Sequence, residues 1–121
     1  MGKRRHLPPE QRKREWERAV TGLRRAGAMA ADHGVVLAVE ALNRFETDLV
    51  NTAEQLARLL RDVAHPAVKG HLDTFHMHIE EKDVTAAVHT LGPELVYVDA
   101  SESDRGTPGS GQVDWAGLAQ S

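Results

Sequence analysis

Apolar residues along this chain alternate between a helical pattern and a strand-like pattern. From Glu10 to about His33 they recur every three or four positions, which is typical of one face of an amphipathic helix. Gly34 is a natural end for this helix, because glycine readily adopts the left-handed backbone found at helix C-termini. The run 35–39 that follows is apolar at both odd and even positions, which predicts a strand covered on both faces.

The same order of elements recurs farther along the chain. Thr52 and Gln55 have the spacing of a capping box, and the helical stripe behind them ends at His65 and Pro66. The elements that follow are a second strand at 67–72, a helix at 84–91, a third strand at 95–98, a surface loop at 101–113 and a short helical start at 114–115. Because strands joined by crossover helices pair in parallel, the sequence predicts an α/β fold with about three parallel strands.

Composition limits the chemistry open to this chain of 121 residues. The absence of cysteine excludes thiolate nucleophiles, disulfides and cysteine-based metal sites. No apolar run reaches the roughly 18 to 20 residues of a membrane span, and the charged start at 1–6 lacks the apolar stretch of a signal peptide. We therefore expect a cytoplasmic protein with no membrane partner.

Charge is distributed unevenly, although the net charge is only −3. Residues 1–25 carry nine Lys and Arg against three Asp and Glu, whereas residues 26–121 carry six against fifteen. A basic helix can bind nucleic acid, but a charge run on an amphipathic helix is usually its solvated side. The acidic remainder fits metal ions or neutral polyols better than a polyanion, so no nucleic-acid partner is expected.

Three acidic residues, Glu40, Asp73 and Asp99, lie where a predicted strand gives way to a polar loop. The carboxyl ends of parallel strands meet at one edge of a sheet, which is where α/β proteins build their sites. If the three side chains converge there, a divalent cation with oxygen ligands would offset their mutual repulsion. Taken singly, each could instead be a solvated strand-end residue or a helix-capping acid.

Three motifs at these strand ends resemble the ketose 3-epimerase family of xylose-isomerase-like TIM-barrel sugar isomerases. They are Glu40-Ala41-Leu42-Asn43-Arg44-Phe45-Glu46, Leu72-Asp73-Thr74-Phe75-His76-Met77 and the stretch 101–111, which is SESDRGTPGSG. The resemblance implies a (β/α)₈ barrel that inverts C3 of a free ketose through an enediolate. It also implies a ketose as partner and a divalent metal, Mn²⁺, Mg²⁺ or Co²⁺, as cofactor.

The same resemblance implies roles for individual residues. Glu40 would be both a metal ligand and one of two glutamates that exchange the proton at C3, and Asp73 would be a second metal ligand. Substrate oxygens would be contacted by Glu46, His76 and Arg105. The chemistry is coherent, because a proton beside a carbonyl becomes removable when a metal neutralises the developing oxyanion and a carboxylate lies within reach.

The third strand end departs from the family pattern. The family usually has His in a His-x-His stretch there, whereas this sequence has Tyr97-Val98-Asp99. Asp99 as a metal ligand would complete an all-oxygen set, which favours harder ions such as Mg²⁺ or Mn²⁺. His71 and His78 are interpreted as packing or surface residues.

Length separates this chain from a complete member of that family. A TIM barrel takes about 250 residues, so we expect a single partial barrel domain over 1–121, with 1–9 as a flexible N-terminus. The strands would resemble the fifth, sixth and seventh of the barrel, without the glutamate of the eighth. This leaves the activity of the isolated chain open and favours a homo-oligomer or association with a complementary chain. The alternative is a non-catalytic remnant or assembly module of such a barrel.

Overall fold

The computed structural model describes residues 7–120. In chain order the elements are α1 (Pro9–Asp32), β1 (Leu37–Glu40), α2 (Ala53–Val63), β2 (Val68–Asp73), α3 (Thr74–Glu80), α4 (Val84–Leu91), the 3₁₀ turn Gly92–Glu94, β3 (Leu95–Asp99) and α5 (Trp115–Leu118). The predicted α/β class is confirmed. Most of the segment predicted to be flexible, 1–9, lies outside the described residues, and Pro9 is already helical.

The strands form one parallel sheet in the order β1-β2-β3. Glu40 at the end of β1 is the register partner of His71, and Asp73 at the end of β2 is the register partner of Asp99. Because both pairings are parallel, all three strands end at the same edge of the sheet. The three acids predicted from the sequence therefore lie along one edge.

Helices cover one face of the sheet and leave the other open. Val68, Gly70 and Leu72 are buried on the covered face, where β2 packs against α2. On the opposite face Ala38 and Tyr97 are exposed. In a TIM barrel the helices lie outside the strands, so the open face corresponds to the face that a complete barrel turns inward.

The first strand begins two residues later than the sequence predicts. The backbone N–H of Val35 donates to Ala30 O and that of Gly34 donates to Ala31 O, which is the Schellman pattern at the end of α1. Gly34 adopts the predicted left-handed backbone, with φ of 66°. Pairing with β2 starts only at Leu37, because the chain must first complete this turn.

Helix α1 lies very close to the sheet at Gly27. A Cβ atom at this position would be 2.7 Å from Val68 Cγ2 and 2.8 Å from His65 Nδ1, which is closer than side chains tolerate. Glycine in a helix interior costs about 1 kcal/mol relative to alanine, but here it allows the backbone to approach β2.

None of the helices within residues 7–120 contains an apolar stretch that could span a bilayer.

The capping box predicted at the start of α2 is present. Thr52 Oγ1 accepts a hydrogen bond from the Gln55 N–H (3.2 Å), and Gln55 Oε1 accepts one from the Thr52 N–H (3.3 Å). Glu81 Oε1 accepts from the Ala53 N–H at 2.7 Å, so a third amide at this helix start is satisfied. Burial raises the pKa of the Glu81 carboxyl, although this hydrogen bond acts in the opposite direction.

Helix α3 was not anticipated from the sequence. It starts directly after β2, and Asp73 is its N-cap, with Oδ1 accepting from the Phe75 N–H at 2.9 Å. A helix of seven residues is too short to show the periodic apolar stripe that identified the others. This helix places His76 beside the end of β2, with Nε2 3.9 Å from Asp73 Oδ2.

Candidate metal and sugar site

Asp73 is the most deeply buried of the three strand-end acids. Its residue exposure is 2%, compared with side-chain exposures of 29% for Glu40 and 46% for Asp99. One carboxylate oxygen caps α3, and the other, Oδ2, lies 3.4 Å from Arg105 Nη1. A buried carboxylate is costly unless it is paired, so these contacts fix the position of Asp73.

His76 is buried at the start of α3 and is held by the loop after β1. Its Nδ1 accepts a hydrogen bond from the Asn43 backbone N–H at 3.1 Å, and the Asn43 side-chain Nδ2 lies 2.8 Å away. Because Nδ1 is an acceptor, the proton of the neutral ring is on Nε2. That nitrogen lies 3.7 Å from Glu40 Oε1 and 3.9 Å from Asp73 Oδ2.

Arg105 enters the same region from the loop after β3, with a left-handed backbone at φ of 63°. Its guanidinium carbon lies 4.2 Å from the centre of the Phe75 ring, and its Nη2 lies 3.7 Å from Glu46 Oε1. Nη2 is also 3.1 Å from His76 Nε2. Arginine can only donate, and His76 Nδ1 already accepts from Asn43, so Nη2 and Nε2 are not hydrogen-bonded to each other. Both can instead donate to an oxygen that lies between them.

The end of β3 meets the other acids through His71. His71 Nε2 lies 3.1 Å from Asp99 Oδ2, and His71 Nδ1 lies 3.9 Å from Glu40 Oε2. The imidazole also makes an edge contact with the Tyr97 ring, with centroids 4.9 Å apart. The interpretation of His71 as a packing or surface residue did not place it between two acids, because that position depends on the register between strands.

Ligand atoms for a cation gather in two groups among the described residues. One group is Glu40, Asp73 and His76, and the other is Glu40, His71 and Asp99; within each group the atoms lie within 4.8 Å of one another. The three carboxylates predicted to share one ion are thus divided between two groups that meet at Glu40. Carboxylate oxygens with an imidazole nitrogen suit Mn²⁺, Co²⁺ or Mg²⁺, so the residues present fit the implied metal.

The loop after β1 is anchored at Glu46 and at the three residues before it. Asn43 Nδ2 donates to Glu46 Oε1 at 2.9 Å, and Asn43 Oδ1 accepts from the Phe45 N–H. Arg44 makes a two-point contact with Glu80 at the end of α3, with Nε–Oε1 of 2.9 Å and Nη2–Oε2 of 3.0 Å. The predicted substrate residue Glu46 therefore faces Arg105 from a loop with a defined shape.

Glu102 organises the loop that carries Arg105, and sequence reasoning assigned it no role. This residue has no exposed surface, and its carboxylate accepts hydrogen bonds from three backbone amides and one indole. The donors are Ser103 N (2.9 Å), Gly109 N (2.8 Å), Val113 N (2.8 Å) and Trp115 Nε1 (2.7 Å). Burial alone would raise the pKa of Glu102, but these hydrogen bonds lower it to about 2.

A signal for Glu102 exists in the sequence but is indirect. A loop rich in glycine contains many backbone N–H groups that no helix or sheet satisfies. One acid at the start of such a loop can accept several of them, as Glu102 does. Gly111 permits the enclosure, because a Cβ there would lie 2.5 Å from Glu102 Cγ.

A parallel sheet with helices on one face and acids along its carboxyl edge matches a segment of a TIM barrel. The family model described as "Xylose isomerase-like TIM barrel" matches residues 2–121. The chain therefore belongs to the xylose isomerase-like TIM barrel family, as its motifs indicated.

Individual relatives are ketose 3-epimerases. The chain is 38% identical over 109 residues to a D-psicose 3-epimerase of Ruminiclostridium cellulolyticum, covering 90% of this chain and 37% of the relative. It is 39% identical over 104 residues to an L-ribulose 3-epimerase of Mesorhizobium japonicum, covering 86% of this chain and 35% of that protein. The chain thus spans little more than a third of the curated relatives it matches.

Solved structures show the same relationship. A crystal structure of D-psicose 3-epimerase with D-tagatose from Clostridium cellulolyticum H10 superimposes with a TM-score of 0.90 at 36% identity. The match covers 96% of this chain and 39% of that one. The predicted resemblance to ketose 3-epimerases and the predicted partial barrel are both confirmed.

Proposed function

We propose that this chain supplies part of the active site of a metal-dependent sugar epimerase that inverts C3 of a free ketose. The observation that carries the proposal is the position of Glu40. Its carboxylate lies 3.7 Å from His76 Nε2 and belongs to both groups of metal-ligand atoms. A base, a cation site and two N–H donors thus meet at one edge of the sheet.

The predicted metal ligands are Glu40, Asp73 and Asp99. Mn²⁺, Mg²⁺ or Co²⁺ bound among them would supply positive charge for the oxyanion that develops when a proton leaves the carbon beside a carbonyl. Glu40 and Asp73 are brought together by the pairing of β1 with β2, and Asp99 is the register partner of Asp73. The three predicted ligands therefore come from strand ends and not from a flexible loop, and Glu40 is the one that both groups of ligand atoms share.

Glu40 is the proposed base at C3. The C3 proton is acidic because the carbonyl is at C2, and a carboxylate within hydrogen-bond reach can accept it. His76 Nε2–H and Arg105 would donate to the carbonyl and hydroxyl oxygens of the ketose. Glu46, which lies 3.7 Å from Arg105 Nη2, would accept from a hydroxyl. These contacts orient C3 toward Glu40.

Inversion requires a second acid on the opposite face of C3. The site assigned here has one base, and the chain covers 37% of the D-psicose 3-epimerase it resembles. Glu40 can remove a proton and return one to the same face, which exchanges hydrogen with solvent and leaves the configuration unchanged. We therefore expect exchange at C3 from this chain alone and inversion only when a second carboxylate is supplied.

Hydrogen exchange in D₂O tests this proposal. The chain is incubated with Mn²⁺ and D-fructose, D-tagatose or L-ribulose, and deuterium at C3 is followed by NMR and mass spectrometry. The wild type should incorporate one deuterium, and Glu40→Gln should slow incorporation by about 100-fold or more. Glu17→Gln, an exposed position on α1, is the matched control. No exchange in the wild type, or equal exchange in Glu40→Gln, would reject the proposed base.

The strand β3 motivates a proposal about partners. Val96, Tyr97 and Val98 are each about half exposed, at 48%, 55% and 46%, although they belong to a strand. We infer that further barrel strands, from a second copy or a complementary chain, cover them. Light scattering after size exclusion should show an assembly, and a monomer at all concentrations would contradict this. A stable assembly without C3 exchange would instead support a non-catalytic assembly module.

Cytoplasmic location stays a prediction from the sequence.

A further inference from the structure

Two histidines lie near Glu40, and they differ in which ring nitrogen has a hydrogen-bond partner. His76 uses Nδ1 to accept from the Asn43 backbone N–H, which places its proton on Nε2. A nitrogen that carries a proton has no lone pair to give to a cation. His76 is therefore suited to donate to an oxygen, although its position alone would also allow it to be counted as a metal ligand.

His71 differs from His76 in the surroundings of its Nε2 atom. Its side chain is 12% exposed, and its Nε2 atom is buried without any hydrogen-bond partner. Asp99 Oδ2 lies 3.1 Å from this nitrogen, at an ion-pair distance but without hydrogen-bond geometry. An orphaned buried nitrogen is costly, and a cation shared with the Asp99 carboxylate would satisfy it.

The distance between His71 Nε2 and Asp99 Oδ2 suits two ligands of one cation. Ligands about 2.1 Å from an octahedral ion lie roughly 3.0 to 4.2 Å apart. The 3.1 Å between His71 Nε2 and Asp99 Oδ2 falls in this range, and one ligand atom from Glu40 joins them within 4.8 Å. The edge contact with Tyr97 holds the imidazole ring in place between the two carboxylates.

We propose that His71 is a metal ligand, and that it supplies the nitrogen of the site while His76 remains a hydrogen-bond donor. The proposal rests on the metal dependence proposed above and makes it more specific. Glu40, His71 and Asp99, one at or near the end of each strand, would then be among the residues that hold the ion. His76 and Arg105 would remain available to donate to the sugar oxygens.

Pulsed EPR of bound Mn²⁺ distinguishes the two histidines, because a coordinated imidazole nitrogen couples to the electron spin. In the wild type a nitrogen coupling is expected, and it should change when the histidines are labelled with ¹⁵N. His71→Gln should abolish this coupling and weaken Mn²⁺ binding by at least about tenfold. His76→Gln should keep the coupling, as should His78→Gln, an exposed control on α3.

Other outcomes would overturn the assignment. Coupling that survives His71→Gln and disappears in His76→Gln would make His76 the ligand, with the metal dependence of the site intact. Unchanged Mn²⁺ affinity in His71→Gln, together with a lower Tm without metal, would show that His71 only forms ion pairs with Glu40 and Asp99.

If His71→Gln fails to fold, His71→Phe keeps an aromatic ring beside Tyr97 and serves the same comparison. A wild type that binds no Mn²⁺ would remove both this assignment and the metal dependence, whereas the C3 exchange test addresses Glu40 separately.

Discussion

The helix-covered face of the sheet and its carboxyl edge bury different kinds of side chain. The helix-covered face is a continuous apolar layer, in which Leu56, Leu59 and Leu72 are almost completely buried. The carboxyl edge also contains buried groups, but they are charged or polar, as with Asp73 and Glu102. Apolar burial is non-directional and stabilises in proportion to area, whereas each buried polar group needs its own partner.

This difference determines how each region tolerates change. Apolar side chains of similar volume can replace one another on the covered face at modest cost. At the carboxyl edge, the replacement of one acid leaves several donors without an acceptor, as the four hydrogen bonds to Glu102 illustrate. The proposed function lies at the edge, and we expect the covered face to provide most of the stability.

The largest effect is expected in the apolar layer. Leu72 is 1% exposed in the central strand, so Leu72→Ala should lower the free energy of unfolding by about 2 to 5 kcal/mol. Urea unfolding followed by circular dichroism measures this change. Met29→Ala, at a position that is 67% exposed, should change it by less than about 0.5 kcal/mol. Equal effects of the two substitutions would mean that the covered face is not the stabilising layer.

At the carboxyl edge, Glu102→Gln should lower the Tm measurably, but by less than Leu72→Ala does. The glutamine side chain would turn an NH₂ group toward N–H donors that hydrogen-bond to a carboxylate oxygen in the wild type. Because the pKa of Glu102 is lowered to about 2, its contribution is complete above its ordinary value of 4.5 and is lost as pH falls toward 2. The variant should therefore lose less stability than wild type across this acid range.

Acid titration of Tm checks this expectation, with Glu17→Gln on the exposed side of α1 as control. The control should retain the wild-type dependence between pH 4.5 and 2, since it leaves the Glu102 hydrogen bonds intact. Identical acid curves for wild type and Glu102→Gln would contradict the role assigned to these hydrogen bonds.

Two glycines of α1 provide a matched pair on the helical layer. Gly27→Ala should destabilise by about 1 to 3 kcal/mol, because its Cβ would overlap Val68 and His65. Gly22→Ala meets no atom within 4 Å and should stabilise by up to about 1 kcal/mol through helix propensity. Chemical denaturation of both variants gives the two signs. Stabilisation by both would mean that α1 does not lie close to β2.

The smallest expected effect concerns the start of α2. Thr52→Ala removes the acceptor for the Gln55 N–H and should cost about 1 kcal/mol, whereas Thr52→Ser should retain most of the cap. Thermal unfolding of the two variants separates loss of the hydroxyl from loss of the methyl group. A serine variant as unstable as the alanine variant would argue against the capping role.

The sequence predicted the covered face well for a physical reason. Apolar periodicity over a helix turn or a strand is a local property, and it located α1, α2, α4 and all three strands to within a few residues. The capping box of Thr52 was equally local. The start of β1 was placed too early, because the Schellman turn at Gly34 extends the influence of α1 into Val35.

The carboxyl edge was predicted only in part. The strand-end positions of Glu40, Asp73 and Asp99 follow from local patterns, and the structure brings His76, Arg105 and Glu46 to the same edge. The place of His71 depends on the register between strands, and the burial of Glu102 depends on how its loop closes. Neither can be derived from the neighbours of those residues in the chain.

Anomalous diffraction tests the central claim, a divalent cation at Glu40, most directly. Crystals of the chain grown with Mn²⁺ would be measured on both sides of the manganese absorption edge. The account predicts one strong peak within bonding distance of a Glu40 carboxylate oxygen, at the carboxyl edge of the sheet. The absence of a peak there at saturating Mn²⁺, or a peak confined to another part of the molecule, would contradict it.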